Sequence, residues 1–129
     1  MLTAACVLAA LAALVHVYIF VLESVRWEDP GTRRVFGTTE EVAALTRPLA
    51  YNQGFYNLFL AVVTVVGVAL VGSHREAAVA LLCAGMGSML AAALVLVTSD
   101  RSKARAAVVQ GLFPALSLLS LLVWALAVR

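Results

Sequence analysis

Residues Ala77–Thr98 read AAVALLCAGMGSMLAAALVLVT, 22 positions with no charge, no proline and no amide. A run of this kind crosses the ~30 Å of bilayer hydrocarbon as a helix, which needs about 20 apolar residues. Three more runs accompany it: Met1–Leu22, Pro48–Val71 and Ala106–Val128. With 64% hydrophobic and 12% charged residues in 129, the chain leaves no room for a separate soluble domain. The reading is an all-α integral membrane protein, an up-down bundle of four transmembrane helices in one domain (1–129). The expected helices cover about 2–25, 47–71, 76–98 and 104–128. The first run lacks a preceding Lys or Arg and exceeds an ordinary signal-peptide core.

Basic residues set the expected orientation. Arg26, Arg33, Arg34, Arg47, Arg101, Lys103 and Arg105 fall at one end of such a bundle, and Arg75 and Arg129 at the other. Positive charge marks the cytoplasmic side, so both termini are expected outside, in a bacterial inner membrane. A net charge of +2 and no basic stripe with interleaved aromatics exclude a nucleic-acid partner. Cys6 and Cys83 come to similar depth near the outer end. They read as two buried small apolar residues, with a disulfide as the alternative in an oxidising compartment.

Between the first two spans, Trp27 is placed as an interfacial aromatic and Asp29-Pro30-Gly31 as a turn. Thr38-Thr39-Glu40-Glu41 has capping-box spacing. It predicts a short cytoplasmic interfacial helix through Leu45, with Phe36, Val42 and Leu45 dipping into the interface. Pro48 then sits in the first turn of the second span, where its missing N–H costs nothing. In the third span Ala80, Ala84, Ser88 and Ala92 recur every four residues beside Gly85 and Gly87, a packing face for close helix approach. Asp100 or Ser99 is expected to cap the fourth span. Pro114 frees the carbonyl of Gln110.

The polar residues within the spans carry the functional expectation. A polar side chain in hydrocarbon is costly, so it faces the bundle interior and marks a site. The candidates for a ligand pocket are His16, Glu23, Asn52, Gln53, Tyr56, Asn57 and Gln110. Counting ~1.5 Å per residue from the cytoplasmic end gives two tiers. Asn52, Gln53 and Gln110 form an upper one, with Glu23 nearer the surface. Asn57 and His16 form a lower one, with Tyr56 between. A carboxylate in low dielectric can exchange a proton, a buried histidine can relay one, and amides with a phenol can orient a polar head group. Each has a plainer reading. Glu23 can snorkel and pair with Arg26 or Arg47. His16 can be a hydrogen-bonded structural residue. The amides can join helices. Metal ligands are too few for a site, no motif implies a cofactor, and no GxSxG, Walker A or HExxH pattern occurs.

The stretches His16–Glu23 with Trp27, Phe36-Gly37, Asn52-Gln-Gly-Phe-Tyr-Asn57 and Gln110-Gly-Leu-Phe-Pro114-Ala115 resemble a widespread bacterial family. Its members are small four-helix membrane proteins classed as a domain of unknown function and sometimes labelled epimerases. The resemblance spans essentially the whole chain. It implies a four-helix membrane protein and transfers no activity. Arg47, Asn52 and Tyr56 are more distantly similar to a set in the membrane-associated eicosanoid and glutathione transferases, with the Arg displaced by one position and Phe55 replacing an acidic residue. Length, helix count and an acidic residue in the first span are similar to small multidrug transporters. The expected function is therefore a polar, cytoplasm-facing intramembrane pocket for a small or amphipathic ligand. The alternatives are a glutathione-transferase-like membrane enzyme, a small proton-coupled transporter, and a structural interaction protein. Partners are the lipid bilayer, such a ligand, and a second copy of the chain.

Overall fold

The computed structural model describes residues 1–128. The chain is all helical among them: α1 (Leu2–Phe20) continuing into a π turn (Val21–Val25), α2 (Pro30–Phe36), α3 (Glu40–Leu70), α4 (Arg75–Ser99), a 3₁₀ turn (Arg101–Lys103) and α5 (Ala104–Ala127). Four of these segments are long and apolar enough to cross a membrane, which makes the chain a multi-pass membrane protein. They run up and down in a ring: α1 packs on α3 and α5, α4 packs on α3 and α5, and α1 and α4 meet lightly across the centre. One end of the ring, the loop end, carries residues 26–39 and 100–103. The other holds Met1, the 71–74 turn and Val128.

Size complementarity fills the centre. Alanines 5, 9 and 12 give α1 a flat inner stripe, and Leu82, Met86 and Met89 of α4 reach across to it, with Leu121 of α5 beside them. Helix backbones in lipid gain little from hydrophobic transfer, so close fit of this kind does the holding. It also sets the register of α4 and reverses one expectation. Ala80, Ala84, Ser88 and Ala92 are all exposed on the chain's outer face. The bulky residues claim the inside, and the small residues of α4 that are buried are Ala78, Ala93 and Gly85, the last against Thr64 of α3.

The connection between α1 and α3 differs from expectation in position. The short helix is Pro30–Phe36, ended by Gly37 in the left-handed conformation (φ 65°, ψ 39°). Only a residue without Cβ adopts that geometry freely. The Lys103 ammonium caps this end from across the ring, donating to the Phe36 carbonyl at 2.5 Å. The segment expected as a separate interfacial helix is instead the first two turns of α3. Thr39, not Thr38, is the cap, accepting from the Val42 N–H at 3.3 Å. Pro48 is inside α3 rather than at its start. Its ring removes the bond to the Ala44 carbonyl, an exposed position where other groups can satisfy that oxygen. At 31 residues α3 is about 46 Å long at ~1.5 Å per residue, well over the ~30 Å of hydrocarbon. Its beginning therefore projects past the core. Trp27 braces that projection, its indole N–H donating to the Ala43 carbonyl at 3.0 Å and to Thr46 Oγ1 at 3.3 Å.

Cys6 and Cys83 are free thiols, Cys83 exposed and Cys6 half-buried. Asp100 caps the entry to α5, accepting from the Ser102 N–H (2.9 Å) and hydroxyl (2.7 Å). The Ser102 hydroxyl, then its N–H, hold the Asp100 carboxyl below the usual carboxylate range. A depressed folded-state value contributes stability that is complete above the ordinary carboxylate range and is lost as pH falls through the folded value. Asp100→Ala should thus speed amide exchange at Ser102–Ala104 at neutral pH. In acid, once Asp100 is protonated, the variant and the parent should exchange alike.

Candidate functional site

Glu23 sits within the π turn that ends α1, where the Arg26 N–H bonds the Val21 carbonyl at 2.9 Å. Such i→i+5 turns are rare and concentrate at functional positions. Across from it, Gly54 lets α3 approach the turn. A Cβ there would overlap Ser24 Oγ and come within 3.0 Å of the Ser24 backbone nitrogen and 3.1 Å of Glu23 Cβ. Ser24 in turn donates to the Tyr51 carbonyl at 2.8 Å. Gly54 divides the contact into two flanks, because Phe55 and Asn57 are two residues apart and cannot share a helix face. On one flank Phe55 packs edge-on to Phe20, 5.1 Å between centroids, with Tyr51 and Phe59 beside it. On the other, Asn57 Nδ2 donates to Glu23 Oε2 at 2.8 Å. It also reaches the Gln53 carbonyl at 3.2 Å.

That pair collapses the two expected tiers. Counting each helix from its own end assumes that the two ends are level, but α3 runs 17 residues from Glu40 to Asn57 whereas the α1 turn ends at Val25, two residues past Glu23, so the ends are staggered. Side chains also lean toward the N-terminus of their own helix. In this antiparallel pair Glu23 leans away from the loop end and Asn57 toward it, and they meet between. The snorkelling alternative for Glu23 is not what the structure contains. Arg26 pairs with Asp29 (2.7 Å) and Arg47 with Glu28 (3.4 Å). No ion pair to Glu23 forms among the described residues.

His16, 1% exposed, has Nδ1 2.9 Å from the Ala12 carbonyl. A carbonyl only accepts, so Nδ1 carries the proton and Nε2 is left facing away from its own helix. No hydrogen bond joins His16 to Glu23 among the described residues. Gln110 is half-buried on α5. Asn52, Gln53 and Tyr56 are exposed, Tyr56 at 57%. Asn52 and Tyr56 are four apart and share the stripe of α3 that points away from the ring.

A regularity emerges when the inner stripes are followed along the ring. Each of three helices carries a buried polar residue and, seven positions nearer the loop end, a half-buried one: His16 and Glu23 on α1, Thr64 and Asn57 on α3, Ser117 and Gln110 on α5. Residues seven apart lie on one helix face. The buried members are 0–1% exposed, so exposure rises toward the loop end on all three helices together. Ser117 donates to the Ala5 carbonyl at 2.9 Å. Thr64 Oγ1, pressed on Gly85, has no hydrogen-bond partner among the described residues. The fourth helix, α4, contributes Met86, Met89 and Ala93 to the interior and no amide or charge. Two shallow grooves on the surface lie elsewhere, one beside Pro30, Arg33, Arg34, Gly37 and Thr38, the other beside Val97, Thr98, Arg101 and Ala104.

Sequence reasoning missed Gly54, Thr64 and the π turn. Gly54 was visible as the glycine of Asn52-Gln-Gly-Phe-Tyr-Asn57, and the signal was a glycine flanked by aromatic and amide residues in mid-span. Thr64 reads as one β-branched residue in a valine run, and nothing local marks it.

A family model described as "Protein of unknown function (DUF1304)" matches residues 10–122, and the chain belongs to that family. The match includes every candidate residue named above. No curated protein matches the chain, and no solved structure does.

Proposed function

We propose that this member of the family binds the polar head of a small amphipathic molecule in a vestibule between α1, α3 and α5 that opens at the loop end. The observation that carries the reading is the shared gradient of His16/Glu23, Thr64/Asn57 and Ser117/Gln110, three polar pairs on three inner stripes, all opening the same way. Scattered helix-joining amides have no reason to align in this manner. Glu23 and Asn57 would meet the head group, and Gln110 would close the third side. His16 would stand behind them with Nε2 free to accept. Native mass spectrometry of gently extracted protein tests this. A bound small molecule should survive in the parent and be absent from an Asn57→Ala, Gln110→Ala double variant that is still folded at the temperature of the measurement. Equal retention in both would remove the vestibule.

The exposed Asn52, Gln53 and Tyr56 fit a rim at the membrane interface or a contact with a second copy of the chain, and the same spectra give the subunit count. The transferase-like alternative draws less support. It needs Arg47, Asn52 and Tyr56 to converge, whereas all three are exposed and Arg47 is engaged by Glu28. A purely structural role is the better second reading, favoured by the Ser117–Ala5 bond that ties α5 to α1.

The vestibule faces the cytoplasm in this reading, because seven of the nine basic residues lie at the loop end. The setting is a bacterial inner membrane with both termini outside. A reporter fused after Arg129 should read as extracytoplasmic. A cytoplasmic signal would turn the vestibule to the other side.

A further inference from the structure

We propose that the head group taken by this vestibule is a monovalent organic cation, exchanging with a proton on Glu23. The inference rests on the vestibule reading above and adds the sign of the ligand's charge. It begins from an imbalance. The Glu23 carboxylate has one hydrogen-bond partner, the neutral amide of Asn57 at 2.8 Å, which satisfies an oxygen and leaves the charge uncompensated. The cations nearest in sequence and across the seam, Arg26 and Arg47, are already engaged by Asp29 and Glu28.

The remaining titratable groups on the elements packed against this turn do not compensate it either. On α1 these are Cys6, His16 and Tyr18. On α3 they are Glu40, Glu41, Tyr51 and Tyr56. None of them hydrogen-bonds or ion-pairs with Glu23 among the described residues. His16 is turned to its own helix through Nδ1.

An unpaired carboxylate within a span is stable only when something positive reaches it. Two species can. One is a proton. The other is a ligand whose own charge is positive. An anionic head, such as a phosphate, a sulfate or the carboxylates of a thiol tripeptide, would meet repulsion from Glu23 and find no guanidinium at the site. A metal ion would find one carboxylate and amides, since no group of three or more His, Cys, Asp or Glu side chains gathers among the described residues. An ammonium or phosphonium head needs only one counter-charge, and Glu23 supplies it.

The exchange needs no external reactant. The cation displaces the proton from the Glu23 carboxyl to water, and the reverse step returns it.

Calorimetric titration of the purified full chain in neutral detergent tests the proposal with three ten-carbon probes below their micellar concentrations: decyltrimethylammonium, decyl sulfate and decanol. The cation should bind saturably and at least tenfold more tightly than the sulfate. Glu23→Gln should weaken the cation at least tenfold and leave decanol unchanged. Acidification of the parent protein should reproduce the effect of Glu23→Gln, which covers the case that the variant folds poorly. Saturable binding of all three probes with equal affinity, indifferent to Glu23→Gln and to pH, would overturn the charge assignment and leave the vestibule intact. No saturable binding by any probe would overturn both readings. Gly87→Ala, away from the vestibule, serves as the unaltered reference.

Discussion

Replacing Gly54 by alanine is expected to destabilise the protein more than any other single methyl addition in the four spans. Two effects oppose each other. Alanine is the better helix former by about 1 kcal/mol. Against this, overpacking a tight contact costs typically about 1–3 kcal/mol. At Gly54 the steric term should prevail. The new methyl would overlap Ser24 Oγ, and behind that hydroxyl stands backbone, with the Ser24 nitrogen at 3.0 Å and Glu23 Cβ at 3.1 Å. A hydroxyl can rotate away, but a π turn braced by the Ser24–Tyr51 bond cannot. The thermal midpoint in detergent should fall for Gly54→Ala and recover only in part in Gly54→Ala, Ser24→Ala. Gly87→Ala is the matched reference, since a methyl there meets nothing within 4 Å; it should hold or raise the midpoint. Equal behaviour of the two glycine variants would mean that α3 does not cross α1 at this point.

The second large effect concerns the Glu23–Asn57 bond itself. Asn57→Leu removes the carboxylate's hydrogen-bond donor and should cost about 1–3 kcal/mol, the penalty for leaving a buried polar partner unsatisfied. Glu23→Leu, Asn57→Leu should be more stable than Asn57→Leu alone, because removing both partners removes the unmet demand. The cycle should return a coupling of about 0.5–3 kcal/mol, the range for residues in direct contact. Gln53→Ala, on the exposed side, should change stability by no more than about 0.5 kcal/mol. Chemical unfolding in mixed micelles reads these three variants and the Glu23→Leu single variant that completes the cycle. Additive costs with no coupling would mean that the carboxylate and the amide do not meet.

The two experiments bear on one junction. Gly54 sets how closely α3 approaches the π turn, and Asn57 reads out whether that approach delivers an amide to the carboxylate. Anything that shifts α3 by a fraction of an ångström at Gly54 should also weaken the cation binding proposed for Glu23, while leaving the Ser117–Ala5 contact in place.

Much of the architecture was legible without coordinates. Uninterrupted apolar runs of about 20 residues have one economical solution in lipid, a helix that satisfies its own backbone. That is why Ala77–Thr98 alone indicates a span, and four such runs indicate an up-down ring. The polar residues were legible for a similar reason. An amide or carboxylate amid leucine and valine stands out because hydrocarbon offers it nothing.

Which of those residues meet was decided by the tertiary structure. Depth counting failed for Asn57 because the ends of α1 and α3 are not level: α3 begins at its Thr39 cap, braced by Trp27, and projects well past the end of the α1 turn at Val25, and a proline is tolerated where its orphaned carbonyl lies outside the apolar core. Rotation failed for Ala80, Ala84, Ser88 and Ala92 because small residues permit close packing on any face, and the bulk of Leu82, Met86 and Met89 chose the inner one. Partner choice for Glu23 was open in the sequence, where Arg26 and Arg47 were both within reach; only the placed Glu28 and Asp29 show that those cations are taken. The sequence by itself determined how many times the chain crosses and which residues are costly in lipid, since both follow from transfer of single side chains. The tertiary structure decided which helix faces turn inward and which polar groups pair, because those depend on contacts between residues 34 positions apart, as from Glu23 to Asn57, and no local pattern encodes them.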